Sequence, residues 1–565
     1  MGERVEALHR ESNPHTLRDL TMRRQLIRGG QHNIGHLCTR QQCEDGLADK
    51  VALRWISPAM QRRNYSFLEL EQQSNRFANV LQELGITRGE VVVSFVPRLP
   101  EQMISFLGTL KLEAVAGCLF PSFGEEALLD RLGDARASVV LAVKRSLRKL
   151  LKIRPRIPSL RYILLLDADR HESDDVLSWS RLMATASDQF QAPVTSPDTP
   201  SVLHYTSGST GKPKGVLHVH RSILHLQSTS QEVLGLRGDE VYWCTADQGW
   251  VTGTSYGIIG PWSLGTTQVH FGGGYDASAW MSVLEQNRVE TWYTAPTALR
   301  MLMREDPALF AKFDLAGLRQ VFSVGEPLNP EVIQWGRTSL QREIHDTWFQ
   351  TETGGILISN RPGLSIRSGS MGIPVSGIEA AILDESGAPV PDGQQGCLCV
   401  RAGWPSQFVT YLNHSEVYGE KFRNGFYYSG DKAHRDAQGY YWFSGREDDV
   451  INTAGHLVSP FEVESALLEV QEVAESGVVA APDPLLFEKV VAFVCLHPGV
   501  AMTKELELKI RLHVSNRIST IATPQEVIVV DRIPKNRSGK IMRRVLRAHY
   551  RGDALGDIST LEEES

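Results

Sequence analysis

Cysteine is scarce in this chain: seven residues among 565, an odd number at scattered positions (Cys38, Cys43, Cys118, Cys244, Cys397, Cys399 and Cys495). Such usage argues against a disulfide framework and fits reduced thiols. Positive charge is not in excess either. Lys and Arg number 59 against 66 Asp and Glu, a formal net charge of -7. Nucleic acids and anionic membranes select basic surfaces, so neither is expected as a primary partner. Long apolar runs are also missing. The most apolar stretch, 104–120, is interrupted by Lys111 and Glu113 and reads as a buried helix–strand unit. The sequence MGERVEALHRESNPH at the start has no apolar signal core, and a cytoplasmic location is expected. Neither a solenoid-period repeat nor a long low-complexity segment occurs.

What is present is length and alternation. A chain of 565 residues exceeds what one core usually organises, so two or more domains are expected. Apolar spacing predicts helices over 67–84 and 102–112, and strands over 90–96, 139–143 and 162–166. That alternation predicts a large α/β domain with substantially parallel sheet. Between 369 and 400 the pattern changes to short strands and turn signals such as Pro391-Asp-Gly. Helices are expected again over 461–468 and 504–517, with strands over 475–480 and 490–496. The expected fold class is α/β. A large N-terminal domain, 1–445, carries a β-rich subdomain over about 369–445, and a small mobile α+β domain spans 446–565. The polar run Gly445-Arg-Glu-Asp-Asp449 is the expected hinge.

The strongest local feature is Tyr205-Thr-Ser-Gly-Ser-Thr-Gly-Lys-Pro-Lys-Gly215 between two strand-like runs. Gly208 and Gly211 let successive N–H groups turn toward one concavity. Thr206, Ser207, Ser209 and Thr210 add hydroxyl donors, and Lys212 and Lys214 add positive charge. This is chemistry for a polyphosphate. Pro213 follows Lys212 directly, where the P-loop of kinases and GTPases requires Ser or Thr. A plain Ser/Gly surface turn would explain the composition, but not two lysines between strands.

Further segments follow in order: Tyr242-Trp-Cys-Thr-Ala-Asp-Gln-Gly-Trp-Val-Thr-Gly253, Ser323-Val-Gly-Glu-Pro-Leu-Asn-Pro330, Asp346-Thr-Trp-Phe-Gln-Thr-Glu-Thr-Gly-Gly355, Tyr428-Ser-Gly-Asp431 and Pro534-Lys-Asn-Arg-Ser-Gly-Lys-Ile-Met-Arg-Arg544. Together with the loop they resemble the adenylate-forming superfamily of acyl-CoA synthetases, adenylation domains and luciferases. Within it, the likeness is to the AMP-forming acetyl-CoA synthetases. The resemblance implies two steps. A carboxylate displaces pyrophosphate from ATP to give acyl-AMP, then the thiol of coenzyme A takes the acyl group and AMP leaves.

By the same resemblance the nucleotide site comprises the loop from Thr206 to Lys212, Gly325, Glu326 and Pro327 at the adenine, and Asp346, Thr347, Trp348, Phe349 and Gln350 around it. Thr351 would contact the α-phosphate, Glu352 would help hold magnesium, Asp431 would hold the ribose and Arg446 would assist. Lys540 is implied as the lysine that reaches the α-phosphate and the carboxylate, although its basic surroundings (Lys535, Arg537, Arg543, Arg544, Arg547) alone read as a solvated face. The resemblance also implies rotation of the small domain about Asp448, a thiol tunnel shaped at Gly455, and acetylation of Lys540 as a control.

The implied acyl pocket is Trp250, Val251, Thr252, Val324 and Phe349. Acetyl-CoA synthetases carry tryptophan where Phe349 stands, and medium-chain enzymes carry glycine. A short acid is therefore expected, acetate first with propionate admitted. Two positions depart from the family pattern: Leu457 replaces a usual arginine, and Val470 stands where a His-Pro pair near magnesium is common. An adenylating enzyme with a weakened thiol step, or a nucleotide-binding regulatory protein, are the alternatives. His32, His36, Cys38 and Cys43 lack the spacing of a tetrahedral metal site, and His218 and His220 are expected to support packing or a loop.

Overall fold

In a computed structural model the described residues are 28–206, 213–447, 449–453, 456–484, 486–536, 540–555 and 561. Among them the strands form three sheets, of fourteen, eight and five strands. The eight-stranded sheet is parallel from Pro200–Thr206 through Val115–Cys118, Val91–Ser94 and Val139–Ala142 to Tyr162–Leu165 and Val176–Ser178. Val91–Ser94, Val115–Cys118 and Val139–Ala142 are buried along their whole length, as parallel strands covered on both faces must be. One edge turns antiparallel: Pro200–Thr206 pairs with Lys214–Val219, which pairs with Thr410–Tyr411.

The fourteen-stranded sheet has two halves. Val51–Ile56, Thr267–Phe271, Val241–Cys244, Thr291–Thr294, Gln320–Ser323 and Ile344–Trp348 run parallel. From Ile344–Trp348 onward every pairing is antiparallel, through Ile358–Ser359 and Ser370–Pro374 to Tyr441–Arg446, Phe426–Arg435 and Gly396–Arg401. The β-rich residues after 369 thus continue the parallel half edge to edge.

The helix Phe67–Glu83 has both an apolar stripe and a cap. Phe67–Glu83 begins with a reciprocal capping box: Ser66 Oγ accepts from Glu69 N (3.1 Å), and Glu69 Oε2 accepts from Ser66 N (2.7 Å). It packs on Pro100–Lys111, which ends in Lys111, 1% exposed and ion-paired to Glu71 at 2.5 Å. The charge that interrupts the apolar stretch is therefore partnered inside the protein, the usual condition for a buried ion. None of the described helices is long and apolar enough to cross a membrane.

In the small lobe, Val473–Asp483 and Phe487–Leu496 alternate their faces. Val478, Ala480, Val490, Ala492 and Val494 pack with residues of the helices Pro460–Leu468 and Lys504–Arg517. Val479, Ala481, Val491, Phe493 and Cys495 pack with Ile533 and with Leu546 of the helix Arg543–Arg551. The period of two puts one layer of helix on each side of the sheet.

Candidate active site

Asp431 is the hub of the site. It lies on Phe426–Arg435, opposite Arg446 at the end of the neighbouring strand. Its Oδ2 accepts from Trp348 Nε1 (2.9 Å) and Gln350 Nε2 (3.0 Å), and its Oδ1 accepts from Arg446 Nη1 (3.0 Å). An ionised carboxylate has about four acceptor sites, so the anchored group keeps capacity for another hydroxyl. Gln350 is itself fixed, accepting at Oε1 from Tyr427 Oη (2.8 Å).

The turn after Gln320–Ser323 places Gly325 at φ +93°, a conformation only glycine adopts without strain. Glu326 does not point its carboxylate outward. It accepts from Thr297 Oγ1 (2.8 Å) and pairs with Arg300, both on the helix Pro296–Met303. Pro327 is half-buried. Beneath this turn, Ser323 Oγ donates to Asp346 Oδ1 (2.8 Å), and Thr347 Oγ1 donates to Ser323 O (2.7 Å). Burial pushes the Asp346 carboxyl up to about 7 against those bonds.

Glu352, half-buried, accepts from Tyr411 Oη at 2.8 Å, while its carbonyl takes the Phe408 N–H (3.0 Å). Tyr411 sits on the strand beside Lys214–Val219, and Lys214 Nζ lies 5.8 Å from its ring centre. One tyrosine therefore joins the Glu352 loop to the strand leaving the expected phosphate loop. Thr206 ends the strand before that loop, paired with Lys214. Ser207, Gly208, Ser209, Thr210, Gly211 and Lys212 lie outside the described residues, as do Asp448 and Gly455. His218 Nε2 donates to Thr351 O (2.9 Å), and His220 Nδ1 accepts from Ile34 N (3.0 Å), so both histidines support backbone as expected. Among the described residues no group of three or more His, Cys, Asp or Glu is placed to hold a metal.

Phe349 packs edge-on against Tyr256, ring centres 5.5 Å apart at 73°, and shares its core with Val324. Tyr256 cannot drift, because Thr229 Oγ1 (2.7 Å) and Ile356 N (2.8 Å) both bond its hydroxyl. Trp250 belongs to a different cluster and packs on Phe120 at 4.9 Å. Val251 and Thr252 follow it in the buried short helix Val251–Thr254. Tyr256 and Tyr411 carry no motif of their own, so sequence reasoning missed them.

Lys540, on the small lobe, lies within electrostatic reach of Arg446 and Asp431. Asn536 N donates to Lys540 O, and Lys540 N donates to Asn536 Oδ1, both at 2.9 Å, so Lys540 is held at its backbone by Asn536. It keeps exposed surface while standing between the lobes. The loss of bulk solvent there, and then the Arg446 charge, pushes its ammonium below the ordinary lysine range, with Asp431 and Asp449 opposing. Asp449, one residue past the expected hinge, is bound by Arg547 at 2.7 Å and Arg543 at 3.7 Å. Val470 is buried in the small-lobe core.

The sequence family described as AMP-binding enzyme matches residues 40–411, and the one described as AMP-binding enzyme C-terminal domain matches 462–540. The acetyl-coenzyme A synthetase of Bacillus subtilis (strain 168) is 42% identical over 536 residues, covering 94% of this chain and 93% of the relative. That of Escherichia coli (strain K12) is 37% identical over 565 residues, 94% of this chain and 86% of the relative. Among solved structures, the anthranilate CoA ligase AuaEII in complex with anthranoyl-AMP superposes with TM-score 0.84 at 30% identity, over 92% of this chain and 97% of that one.

Proposed function

The chain belongs to the AMP-binding enzyme family, and from that premise we propose that it activates acetate, and propionate less well, as acyl-AMP and then as the coenzyme A thioester. The observation that carries this reading is Asp431 anchored by Trp348, Gln350 and Arg446, with Lys540 close enough to feel the Asp431 and Arg446 charges. In the first step a carboxylate oxygen attacks the α-phosphorus of ATP and pyrophosphate departs. In the second the thiol sulfur attacks the acyl carbon and AMP departs.

Each residue has a task that its surroundings allow. Asp431 holds the ribose hydroxyls, with Arg446 beside it. The backbone of Gly325-Glu326-Pro327, together with Asp346, Thr347 and Trp348, encloses the adenine, since Glu326 spends its carboxylate on Arg300. Thr206 and the loop to Lys212 cradle the outer phosphates, and Thr351 contacts the α-phosphate. Lys540 brings a cation to the point where two anions must meet, the preorganised stabilisation that such a step requires. Glu352 suits magnesium: it is a half-buried carboxylate oriented by Tyr411, and this ion is bound by one or two carboxylates plus substrate phosphates. Bound there, the ion would neutralise phosphate charge.

Phe349, Val324, Val251, Thr252 and Trp250 bound the acid. Phe349 is smaller than an indole but fixed by Tyr256, so the pocket admits propionate and closes soon after. For the thiol step the small lobe rotates at Asp448 and brings Gly455 to the tunnel. The seven cysteines are free thiols, which fits a cytoplasmic setting. A lysine acetyltransferase acting on Lys540 would remove its charge. Acetate-dependent ATP–pyrophosphate exchange without CoA, followed by AMP release when CoA is added, tests the reading. No exchange with any two- to five-carbon acid would sink it.

A further inference from the structure

The segment before Lys540 is tied to the large lobe through one carboxylate. Glu475, on the small-lobe strand Val473–Asp483, pairs with Lys535 Nζ at 2.9 Å through Oε2. Its Oε1 accepts from Arg304 Nη2 at 2.7 Å, and the same guanidinium donates to Ala474 O at 3.0 Å. Arg304 belongs to the large lobe, at the C-terminal end of the helix Pro296–Met303. The Lys535 backbone in turn pairs antiparallel with that of Ile541, and Met542 N donates to Pro534 O at 2.8 Å, which clips together the residues on either side of Lys540. Burial pushes the Glu475 carboxyl up, but Lys535 and Arg304 outweigh it and keep it ionised.

A second stitch leaves the same helix. Arg300, which holds Glu326, also donates to Asn329 Oδ1 (3.1 Å), and Asn329 Nδ2 donates to Ser465 Oγ in the small lobe (2.9 Å). The helix Pro296–Met303 thus reaches the small lobe directly through its cap residue Arg304 and indirectly through Asn329.

We propose that Arg304 is a positioning residue for Lys540: its pairing with Glu475 holds the small lobe in the orientation that presents the lysine, and it must break before the thiol step. The inference rests on the reading that Lys540 serves adenylation. Arg304 is 42% exposed in this pair. An exposed pair is weak, which suits a contact made and broken at every turnover, because a small bias still shifts a two-state equilibrium several-fold.

Arg304→Ala is expected to lower acetate-dependent pyrophosphate exchange about 3- to 10-fold. It should leave thioester formation from synthetic acetyl-AMP and CoA unchanged or faster. Arg304→Lys should restore part of the exchange, and added salt should slow the first half-reaction of the unmodified protein toward that of Arg304→Ala. A dye on each lobe reads orientation by fluorescence transfer without turnover, and Arg304→Ala should shift it toward the second orientation. An unchanged transfer efficiency, or both half-reactions falling together with the melting temperature, would overturn the proposal. Absence of exchange in the unmodified protein would sink the functional reading instead, leaving the transfer measurement to judge the contact by itself.

Discussion

The two sides of the cleft are built by opposite rules. On the large lobe, Asp431, Trp348, Asp346 and Tyr427 are buried, and Asp431 alone takes bonds from three side chains. On the small lobe, Lys540 keeps exposed surface, and nearby Glu475 pairs with Lys535 and with the 42%-exposed Arg304. Burial with complete hydrogen bonding gives geometry that persists, whereas solvated ion pairs give geometry that can be exchanged. On the proposed reading, the binding half stays fixed while the charge assigned to the first step is brought in and withdrawn.

The largest effect should come from the small-lobe side. Lys540→Ala is expected to cut acetate-dependent pyrophosphate exchange by about 100- to 1000-fold, the usual result of removing one fixed charge stabiliser. Thioester formation from synthetic acetyl-AMP should survive. Equal loss of both half-reactions would erase the contrast between the lobes. On the fixed side, Asp431→Ala removes charged hydrogen bonds worth about 1.5–3 kcal/mol each. The expected outcome is a rise of about tenfold or more in the KM for ATP by steady-state kinetics, with the KM for acetate little changed.

Phe349→Trp tests the pocket. One methylene discriminates by about 1–3 kcal/mol, so propionate use should fall about tenfold or more relative to acetate. A competition assay between the two acids reads this, and an unchanged ratio would show that Phe349 does not bound the pocket.

The smallest effects are pH effects. The Lys540 ammonium lies below its ordinary value of 10.5, so adenylation should decline on the alkaline side before that pH, and Lys540→Arg should flatten the limb. Asp346 is raised from 3.8 to about 7. Its stabilising contribution is therefore full at low pH and lost as pH rises from about 4 through 7. Melting temperatures across that range should fall more for the unmodified protein than for Asp346→Asn.

The local features of both lobes were legible in the chain. The helix expected over 67–84 is Phe67–Glu83, because its apolar spacing and its Ser66/Glu69 cap are written within a few residues. The strands around 91, 139 and 162 were equally readable as β-branched runs. Pairing was not: nothing near Ile344–Trp348 tells that its next neighbour is antiparallel Ile358–Ser359. In the site, motif order brought Trp348, Gln350, Asp431 and Arg446 together on paper, and the fold joins them by hydrogen bonds. Tyr411 reaches Glu352 across 59 residues and Tyr256 reaches Phe349 across 93, contacts with no local pattern to announce them. Arg304 and Glu475 are a third such pair, visible only once the two lobes face each other.

The most direct test of adenylation follows oxygen. With acetate labelled at both oxygens by ¹⁸O, ATP and CoA, attack of the carboxylate on the α-phosphorus predicts AMP carrying one ¹⁸O, read by mass spectrometry. AMP without label, or label in phosphate or pyrophosphate instead, would contradict the account.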